Sequence, residues 1–286
     1  MSNIVNGKEM SEKILNEVKQ ELKFEMIKPS VAVIQIGNNS ASDKYVSNKM
    51  KACEDVGIYF RHHQFEAGTS ELTIVNKIKE LNNDDYVNGI IVQLPVPSNY
   101  NEKRLINSII NSKDVDGLTD INAGRLIHGK KTLIPCTAMA VMEILDQNNV
   151  ELSGKNFVIV GRGKLVGRPL MELMLERDAT VTICHSKTEN LSEYTKKADI
   201  LVSATGINNL ITAEMVKKGV IVIDVGINFE EGKQSGDVDF DSVSKKASLI
   251  TPNPGGVGPM TVAMLIKNVM TCFRNKKKWK INILVM

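Results

Sequence analysis

Tyr45 and Lys49 are the first side chains in the sequence whose types and spacing suit chemistry. Residues four apart on a helix lie on one face, so the phenol and the amine would project together. Short-chain dehydrogenases carry a Tyr-x-x-x-Lys pair of this kind, but in them the pair follows the cofactor loop. Here the pair precedes the glycine-rich loop by more than one hundred residues, which argues against that family. On its own, such a pair is also typical of an ordinary helix surface.

A glycine-rich turn at Gly161, Gly163 and Gly167 is the second group with chemical potential. It follows an apolar, strand-like segment, 156–160, and leads into a helix-like segment. Glycines allow the backbone to turn sharply and to approach a pyrophosphate, whose charge then lies against the free N–H groups of a helix N-terminus. This context favours dinucleotide binding over a plain tight turn.

The residues after the next predicted strand indicate which dinucleotide is bound. A cofactor that lacks the 2′-phosphate is commonly held there by an Asp or a Glu. This chain instead has His185, Ser186 and Lys187, and Arg162 stands in the glycine turn. A hydroxyl group and cations suit a phosphate, so the sequence predicts NADP rather than NAD. The alternative is that His185 and Lys187 are exposed loop residues that bind nothing.

Helix-like and strand-like segments alternate along the chain, which favours a parallel α/β architecture. Apolar residues at helical spacing predict helices over 7–24, 42–56 and 71–81, and apolar runs predict strands over 30–36 and 89–94. Further along, we expect helices from Met139 and Pro169 and strands over 156–160, 179–184, 199–203 and 220–225. The run 254–259 is rich in Gly and Pro and predicts a rigid loop before a helix that begins at Met260.

Composition limits the class of protein. The chain has 286 residues, of which 42% are hydrophobic and 24% are charged, as in a globular protein of about two domains. Its 36 Lys and Arg against 33 Asp and Glu leave a formal charge of +3, far below the basic excess of a nucleic-acid binder. No apolar run is long enough to cross a bilayer and the N-terminus does not resemble a signal peptide, so no membrane association is predicted.

The cysteines indicate a reducing environment. Cys53, Cys136, Cys184 and Cys272 are far apart, with no Cys-x-x-Cys pair and no histidine at metal-ligand spacing. We therefore expect no disulfide framework, no metal site and a soluble, cytoplasmic protein.

A series of short motifs runs in order along nearly the whole chain. They lie at 42–53, 89–95, 113–117, 121–126, 135–137, 161–162, 181–186, 224–228 and 254–261. Together they resemble the bifunctional methylenetetrahydrofolate dehydrogenase/cyclohydrolases. That resemblance implies an α/β fold of two domains. Residues 1–138 with 260–286 would form the catalytic folate-binding domain, and 139–259 a Rossmann-type NADP-binding domain with a parallel sheet.

The activity implied by the resemblance has two steps. The enzyme would oxidise 5,10-methylenetetrahydrofolate to the methenyl cation with NADP and then hydrolyse that cation to 10-formyltetrahydrofolate. The family's catalytic lysine corresponds to Lys49, which must be transiently neutral to act as a base. Tyr45 would stack on or orient the folate, Gln93 would position Lys49, and Asp116 would anchor the pterin through paired N–H bonds.

The resemblance also implies the binding residues and the partners. Besides Tyr45, Gln93 and Asp116, the folate would contact Leu94, Pro95, Gly255, Gly256 and Pro259. The residues expected to bind the cofactor are Gly161, Arg162, Gly163, Val166, Gly167, His185, Ser186, Lys187, Thr205, Gly206 and Ile227. The substrates would be tetrahydrofolate derivatives, polyglutamylated in the cell, and the enzyme would be a homodimer. Asp114 is equally well explained by a cap or a turn.

Three departures from the family pattern keep alternatives open. Ala138 and Ala140 stand where the family usually has Pro and Gly, which predicts a less rigid loop, and Asn253 replaces a common Val. Gly163 replaces a Ser whose hydroxyl would meet the pyrophosphate. The alternatives are therefore a cyclohydrolase only, an NAD-dependent dehydrogenase, or a folate- or nucleotide-binding protein without turnover.

Overall fold

The computed structural model describes residues 3–230 and 233–285, and the chain divides into two compact units. One unit, here called the three-stranded unit, comprises residues 12–136 and 262–285. The other, the six-stranded unit, comprises residues 3–11 and 137–261. The division differs from the predicted domains at the amino terminus, because residues 3–11 group with the six-stranded unit.

The elements of the chain follow one another as a strand and helix alternation. In chain order they are β1 Asn3–Ile4, α1 Gly7–Lys23, β2 Ser30–Ile36, α2 Ser40–Val56, β3 Tyr59–Phe65, α3 Glu71–Asn83, β4 Gly89–Val92, α4 Glu102–Asn107, α5 Asp120–Ile127, α6 Cys136–Gln147, β5 Asn156–Val160, α7 Gly167–Leu175, β6 Thr180–Cys184, α8 Leu191–Thr195, β7 Ile200–Ser203, β8 Ile221–Asp224, β9 Asn228–Glu230, β10 Lys233–Ser235, α9 Phe240–Val243, β11 Leu249–Ile250 and α10 Val257–Val285.

The sheet of the three-stranded unit has the order β3-β2-β4, and both pairings are parallel. The central strand β2 is buried along its whole length, and β4 is buried too. Such runs of apolar residues are typical of parallel strands that are covered on both faces. The edge strand β3 alternates more exposed and less exposed side chains, and its polar sequence therefore carried no strong strand signal. Apolar side chains of α3, including Ile74 and Ile78, pack on this sheet.

The sheet of the six-stranded unit has the order β1-β11-β8-β7-β5-β6, and all its pairings are parallel. The strand order reverses beside β5, with β6 on one side and β7 on the other. Ligands of open parallel sheets bind outside the carboxyl ends of the strands at such a reversal. The predicted cofactor residues follow the carboxyl ends of β5, β6, β7 and β8, so the topology brings them to one edge.

Two expected loops are helical in part. α6 begins at Cys136 rather than near Met139, and Ala138 and Ala140 are fully buried within it. The prediction of a loop there was wrong because alanine is the strongest helix former and replaces a proline and a glycine. α10 begins at Val257 and not at Met260, so Gly258 and Pro259 lie in its first turn. A proline is tolerated there because the first N–H groups of a helix have no intrahelical partner.

Within residues 3–230 and 233–285, no helix combines the length and the apolar character needed to cross a membrane.

Candidate active site

Lys49 is held in the three-stranded unit by a residue of a different element. Its Nζ donates to Oε1 of Gln93 at 3.0 Å. Gln93 directly follows β4 and is buried, and its own Nε2 donates to the carbonyl of Leu94 at 2.7 Å. Because the amide nitrogen of Gln93 is used in this way, its oxygen is the atom that faces Lys49. The pair therefore fixes the position of the amine.

Tyr45 lies one turn before Lys49 on α2, as the spacing predicts. Its side chain is half-buried, and burial raises the pKa of the phenol. The hydroxyl thus stays protonated at neutral pH and is able to donate a hydrogen bond. Leu94 and Pro95, joined by a cis peptide bond, continue the chain directly after Gln93.

Asp116 lies against Cys136 at the start of α6. The Cys136 Sγ is 3.5 Å from Oδ1 of Asp116 and 3.3 Å from the carbonyl of Val115. On α10, the buried Asn268 donates from Nδ2 to the carbonyls of Val115 and Ile134, at 2.8 and 3.0 Å. The side-chain amide of Asn268 therefore links the segment that contains Val115 and Asp116 to the segment around Ile134.

Electrostatics place Lys49 in the same neighbourhood. Burial and the negative charge of Asp116 raise the pKa of the Cys136 thiol well above its usual value, while the charge of Lys49 lowers it. Burial also raises the pKa of Cys53 to about 12, again opposed by Lys49. Both thiols stay protonated and are poor nucleophiles. The structure thus brings Lys49, Gln93, Cys136 and Asp116 into one cluster.

The first two residues of the segment 113–117 serve the fold. The ammonium of Lys113 donates to the carbonyls of Leu81, Asn82 and Asp84, at 2.7–2.9 Å, and so caps the end of α3. Asp114 is buried and accepts from the backbone N–H of Thr119 and from Nδ2 of Asn122, both at 2.8 Å. Asp114 therefore holds the start of α5, whereas the carboxylate of Asp116, two residues on, contacts Cys136.

The glycine turn of the six-stranded unit fits a dinucleotide. Gly161 has a φ of +117°, and a Cβ there would lie 2.4 Å from the carbonyl oxygen of Ala204. A Cβ on Gly167 would lie 2.0 Å from the Gly161 oxygen. Val166 precedes α7 and supplies no side-chain cap to its N-terminus. Arg168 donates its N–H to the carbonyl of Gly163 and Pro169 has none, so the helix dipole is the main feature that favours a pyrophosphate at this end.

Three of the residues expected to select the cofactor, 185–187, lie in the turn that directly follows β6. His185 is fixed there: its backbone N–H donates to Oγ1 of Thr188 at 2.9 Å, and its Nδ1 accepts from the N–H of Lys187 at 3.2 Å. Ser186, Lys187 and, in the glycine turn, Arg162 are exposed. The donor set therefore has the charge that a 2′-phosphate requires.

The remaining predicted residues lie in the same unit. Thr205 and Gly206 follow β7, Ile227 follows β8, and a Cβ on Gly206 would lie 4.0 Å from the Ile227 oxygen. Gly163 is exposed, with open space around its Cβ position. Gly255 and Gly256 precede α10, and Pro259 lies in its first turn.

Sequence reasoning did not assign three of the residues that shape these sites. Cys136 belongs to a recognised motif but was given no role. Asn268 and Asp237 are buried polar residues. Asn268 stands in a largely apolar stretch of α10, and that is the available signal, since a buried polar group needs a partner. Asp237 lies in the polar stretch 234–239, which carries no such signal.

Two family models match the chain. The model described as the tetrahydrofolate dehydrogenase/cyclohydrolase catalytic domain matches residues 5–116. The model described as the NAD(P)-binding domain of the same family matches residues 135–277.

Individual proteins resemble the chain over nearly its full length. The bifunctional protein FolD of Hydrogenobaculum sp. is 49% identical over 276 residues, which cover 96% of this chain and 99% of that protein. The crystal structure of the bifunctional FolD of Campylobacter jejuni superposes with a TM-score of 0.94 at 46% identity, covering 96% of this chain and 99% of that one. A Trypanosoma brucei enzyme of the same name, solved with NADP and an inhibitor, gives a TM-score of 0.92 at 34% identity over 96% of this chain and 98% of its own.

Proposed function

The chain belongs to the tetrahydrofolate dehydrogenase/cyclohydrolase family, and from that premise we propose that the cluster around Lys49 serves both of the family's reactions. The protein oxidises 5,10-methylenetetrahydrofolate with NADP and hydrolyses the resulting methenyl cation to 10-formyltetrahydrofolate. The observation that carries the assignment of residues is the Lys49–Gln93 hydrogen bond of 3.0 Å, together with the Cys136 thiol, whose pKa responds to the charges of both Lys49 and Asp116.

NADP supplies one chemical capacity, the acceptance of a hydride from the one-carbon bridge. The chain's own task in this step is to hold the folate. The Asp116 carboxylate accepts two parallel N–H bonds from the aminopyrimidine edge of the pterin, and the Tyr45 ring stacks on or orients the folate ring system. Leu94 and Pro95 complete this side of the substrate site, and Gly255, Gly256 and Pro259 are further proposed contacts.

Hydrolysis consumes the delocalised cation that oxidation leaves behind. Water attacks the bridging carbon, and its proton passes to the neutral amine of Lys49. One carbon–nitrogen bond of the hydroxyl adduct then breaks, the hydroxyl proton is transferred to the freed nitrogen, and the carbon keeps the oxygen as a formyl group. Gln93 accepts one N–H of the amine through its oxygen. That hydrogen bond leaves the nitrogen lone pair free to point elsewhere, toward the water.

The cofactor is NADP, and we assign its contacts to the carboxyl edge of the six-stranded sheet. Gly161, Gly163, Val166 and Gly167 cradle the pyrophosphate. Arg162, Ser186 and Lys187 hold the 2′-phosphate beside His185. Thr205, Gly206 and Ile227 line the rest of the cofactor path. Two observations support this assignment. A Cβ on Gly161 or on Gly167 would collide with a backbone oxygen, and Val166 supplies no side-chain cap to the N-terminus of α7.

Three further properties belong to this proposal. The substrates are polyglutamylated in the cell, as the family resemblance implies. The protein acts in the cytoplasm, where its four free cysteines stay reduced. It forms a homodimer, and the edge strand β3 offers support, because among the described residues it pairs only with β2 and leaves Tyr59 exposed. A mass measurement by light scattering should give twice the chain mass.

A spectral assay of the purified protein tests the function. Methylenetetrahydrofolate is offered with NADP and, separately, with NAD, and the decay of added methenyltetrahydrofolate is followed without cofactor. We expect reduction with NADP and decay of the methenyl compound. Selective reduction of NAD would contradict the 2′-phosphate site, and decay alone would leave a cyclohydrolase only. Folate binding with neither reaction would identify a passive binding protein.

A further inference from the structure

A buried carboxylate lies behind the segment that follows β7. Asp237 is fully buried. Its Oδ2 accepts from Oγ of Ser203 at 2.8 Å and from the backbone N–H and the hydroxyl of Thr205, at 2.6 and 2.9 Å. Its Oδ1 accepts from the N–H of Ile207 at 3.0 Å. All four donors belong to the five residues 203–207, so one carboxylate sets the course of that whole segment.

The same segment supports the glycine turn. Ala204 lies in its middle, and its carbonyl oxygen is the atom that a Cβ on Gly161 would meet at 2.4 Å. The Ala204 N–H donates to the carbonyl of Val160, at the end of β5, at 2.8 Å. A displacement of residues 203–207 would therefore also disturb the turn after β5. Gly206 and Ile207 of the same segment are exposed, although the Ile207 N–H points inward to Asp237.

A second acid fixes Asp237 in turn. Asp224, the last residue of β8, accepts from the N–H groups of Gly226, Asp237 and Val238 at 3.0–3.1 Å. The fit is close, since a Cβ on Gly226 would lie 1.8 Å from Oδ1 of Asp237, and one on Gly236 would lie 1.8 Å from Oδ2 of Asp224. These contacts pack the Asp237 side chain closely against Gly226 and hold its backbone on Asp224.

We propose that Asp237 is a positioning residue for the cofactor: through Ser203, Thr205 and Ile207 it holds the segment 203–207 in the conformation that binds NADP. The inference rests on the proposed function, which assigns Thr205 and Gly206 to the cofactor. Asp237 touches neither ligand in this role. Its removal should therefore weaken cofactor binding and spare the hydrolysis, whose base Lys49 and its partner Gln93 lie in the three-stranded unit.

The variant Asp237→Asn tests this assignment. Its NH₂ group has to face one of the four donors, so at least one hydrogen bond is lost. We expect NADP to bind about tenfold more weakly by calorimetry with the free protein. The backbone amides of Thr205 and Ile207 should exchange their hydrogens faster. The KM for NADP should rise with the binding constant, and hydrolysis of methenyltetrahydrofolate without NADP should keep its rate.

Asp199→Asn is the matched control, because Asp199 precedes the same strand, β7, at its other end. It accepts from the N–H of Asn156 at 2.8 Å and pairs with Lys217, so its loss should lower stability without changing NADP affinity. If Asp237→Asn does not fold, Ser203→Ala removes a single donor and should weaken NADP binding about threefold.

Two results would overturn the assignment. One is a folded Asp237→Asn variant, or a folded Ser203→Ala variant, that binds NADP as the wild type does. The other is an equal loss of NADP affinity in Asp199→Asn, which would reveal a general effect of lower stability. Failure of the proposed function can be told apart from failure of this inference, because in that case the wild-type protein itself would catalyse neither the oxidation nor the hydrolysis.

Discussion

The two units prepare their ligand sites by different physical means. In the three-stranded unit, side chains supply the chemistry, and Gln93 and Asn268 hold Lys49 and the segment around Asp116 by hydrogen bonds. In the six-stranded unit, the proposed cofactor site is formed mostly by backbone. Its shape depends on glycines that tolerate no Cβ, such as Gly161, and on acids buried behind the loops.

This difference predicts two kinds of mutational effect. Substitutions in the Lys49 cluster should change rates or folate binding while NADP binding survives. Substitutions in the loops that follow β5, β6, β7 and β8 should change NADP affinity while hydrolysis survives. Each experiment below either separates the two activities in this way or shows that the separation fails.

The largest effect is expected for Lys49→Met. Loss of the base should slow hydrolysis about 1000-fold, the usual scale of general base catalysis, while calorimetry should find NADP affinity unchanged. Lys51→Met, an exposed position on the same helix, is the control and should keep the wild-type rate. Undiminished hydrolysis in Lys49→Met would remove the amine from the mechanism.

The next effect concerns stability and pH. Burial, together with the charge of Asp237, raises the pKa of Asp224 from 3.8 to about 6. The folded state therefore favours the protonated acid, and this stabilisation is complete below pH 3.8 and is lost as the pH rises through about 6. The whole shift corresponds to about 3 kcal/mol.

Thermal unfolding of Asp224→Asn and of the wild type between about pH 4 and pH 7 measures this contribution. The variant cannot titrate at this position, so its stability relative to the wild type should improve as the pH rises. A difference that stays constant over this range would show that Asp224 is already ionised in the folded protein at low pH.

Gly161→Ala should weaken NADP binding about 50-fold, because the residue has a positive φ and its new Cβ would collide with Ala204. Hydrolysis without cofactor should be unaffected. Gly163→Ala, where the Cβ meets open space, should change the affinity by no more than about threefold. An equal loss of NADP affinity in the two variants would mean that binding does not depend on the close packing of Gly161 against Ala204.

Asn268→Leu should raise the KM for folate about tenfold in both reactions, since the carbonyls of Val115 and Ile134 lose their shared donor. NADP affinity should not change. Thr271→Val, which removes a hydroxyl bonded to Lys267 on the same helix, controls for altered helix stability. An unchanged KM for folate would limit Asn268 to a role in folding.

The smallest effect is expected at the exposed end of the cofactor site. The double variant Arg162→Ala, Lys187→Ala should weaken NADP binding about fivefold and leave NAD binding unchanged, because exposed cations contribute modestly. Raised salt should reduce the difference. If the affinities for NAD and NADP fall by the same factor, Arg162 and Lys187 do not bind the 2′-phosphate.

The sequence predicted the buried elements well. Strands β2, β4, β5, β7 and β8 are mostly apolar runs, and α1, α2 and α3 show helical spacing, so each carries its own signal. β1, β9, β10 and β11 were not predicted, because two or three residues form a strand only when a partner strand supplies the hydrogen bonds. The early start of α10 was also missed, since proline in a first helical turn looks the same as proline in a loop.

The site was predictable where chemistry depends on a side chain in a local motif. Lys49 and Gln93 were both assigned, and the structure brings them to 3.0 Å. Asn268 lies 153 and 134 residues from Val115 and Ile134, and Asp237 lies 34 residues from Ser203 and 30 from Ile207. Only the fold reveals such partners. The assigned roles of Tyr45, Asp116 and the cofactor residues stay predictions that the experiments above address.

The path of the chain between the two units affects how the protein can be dissected. Residues 11 and 12 belong to different units within α1, residues 261 and 262 do so within α10, and the third crossing, 136 to 137, lies in the first turn of α6. No linker is therefore available for a protease or for a truncated gene. To obtain either unit alone, one would have to cut through helices. To exchange nucleotide specificity with another protein, one would have to replace residues 137–261 as an internal segment whose two ends lie within α6 and α10.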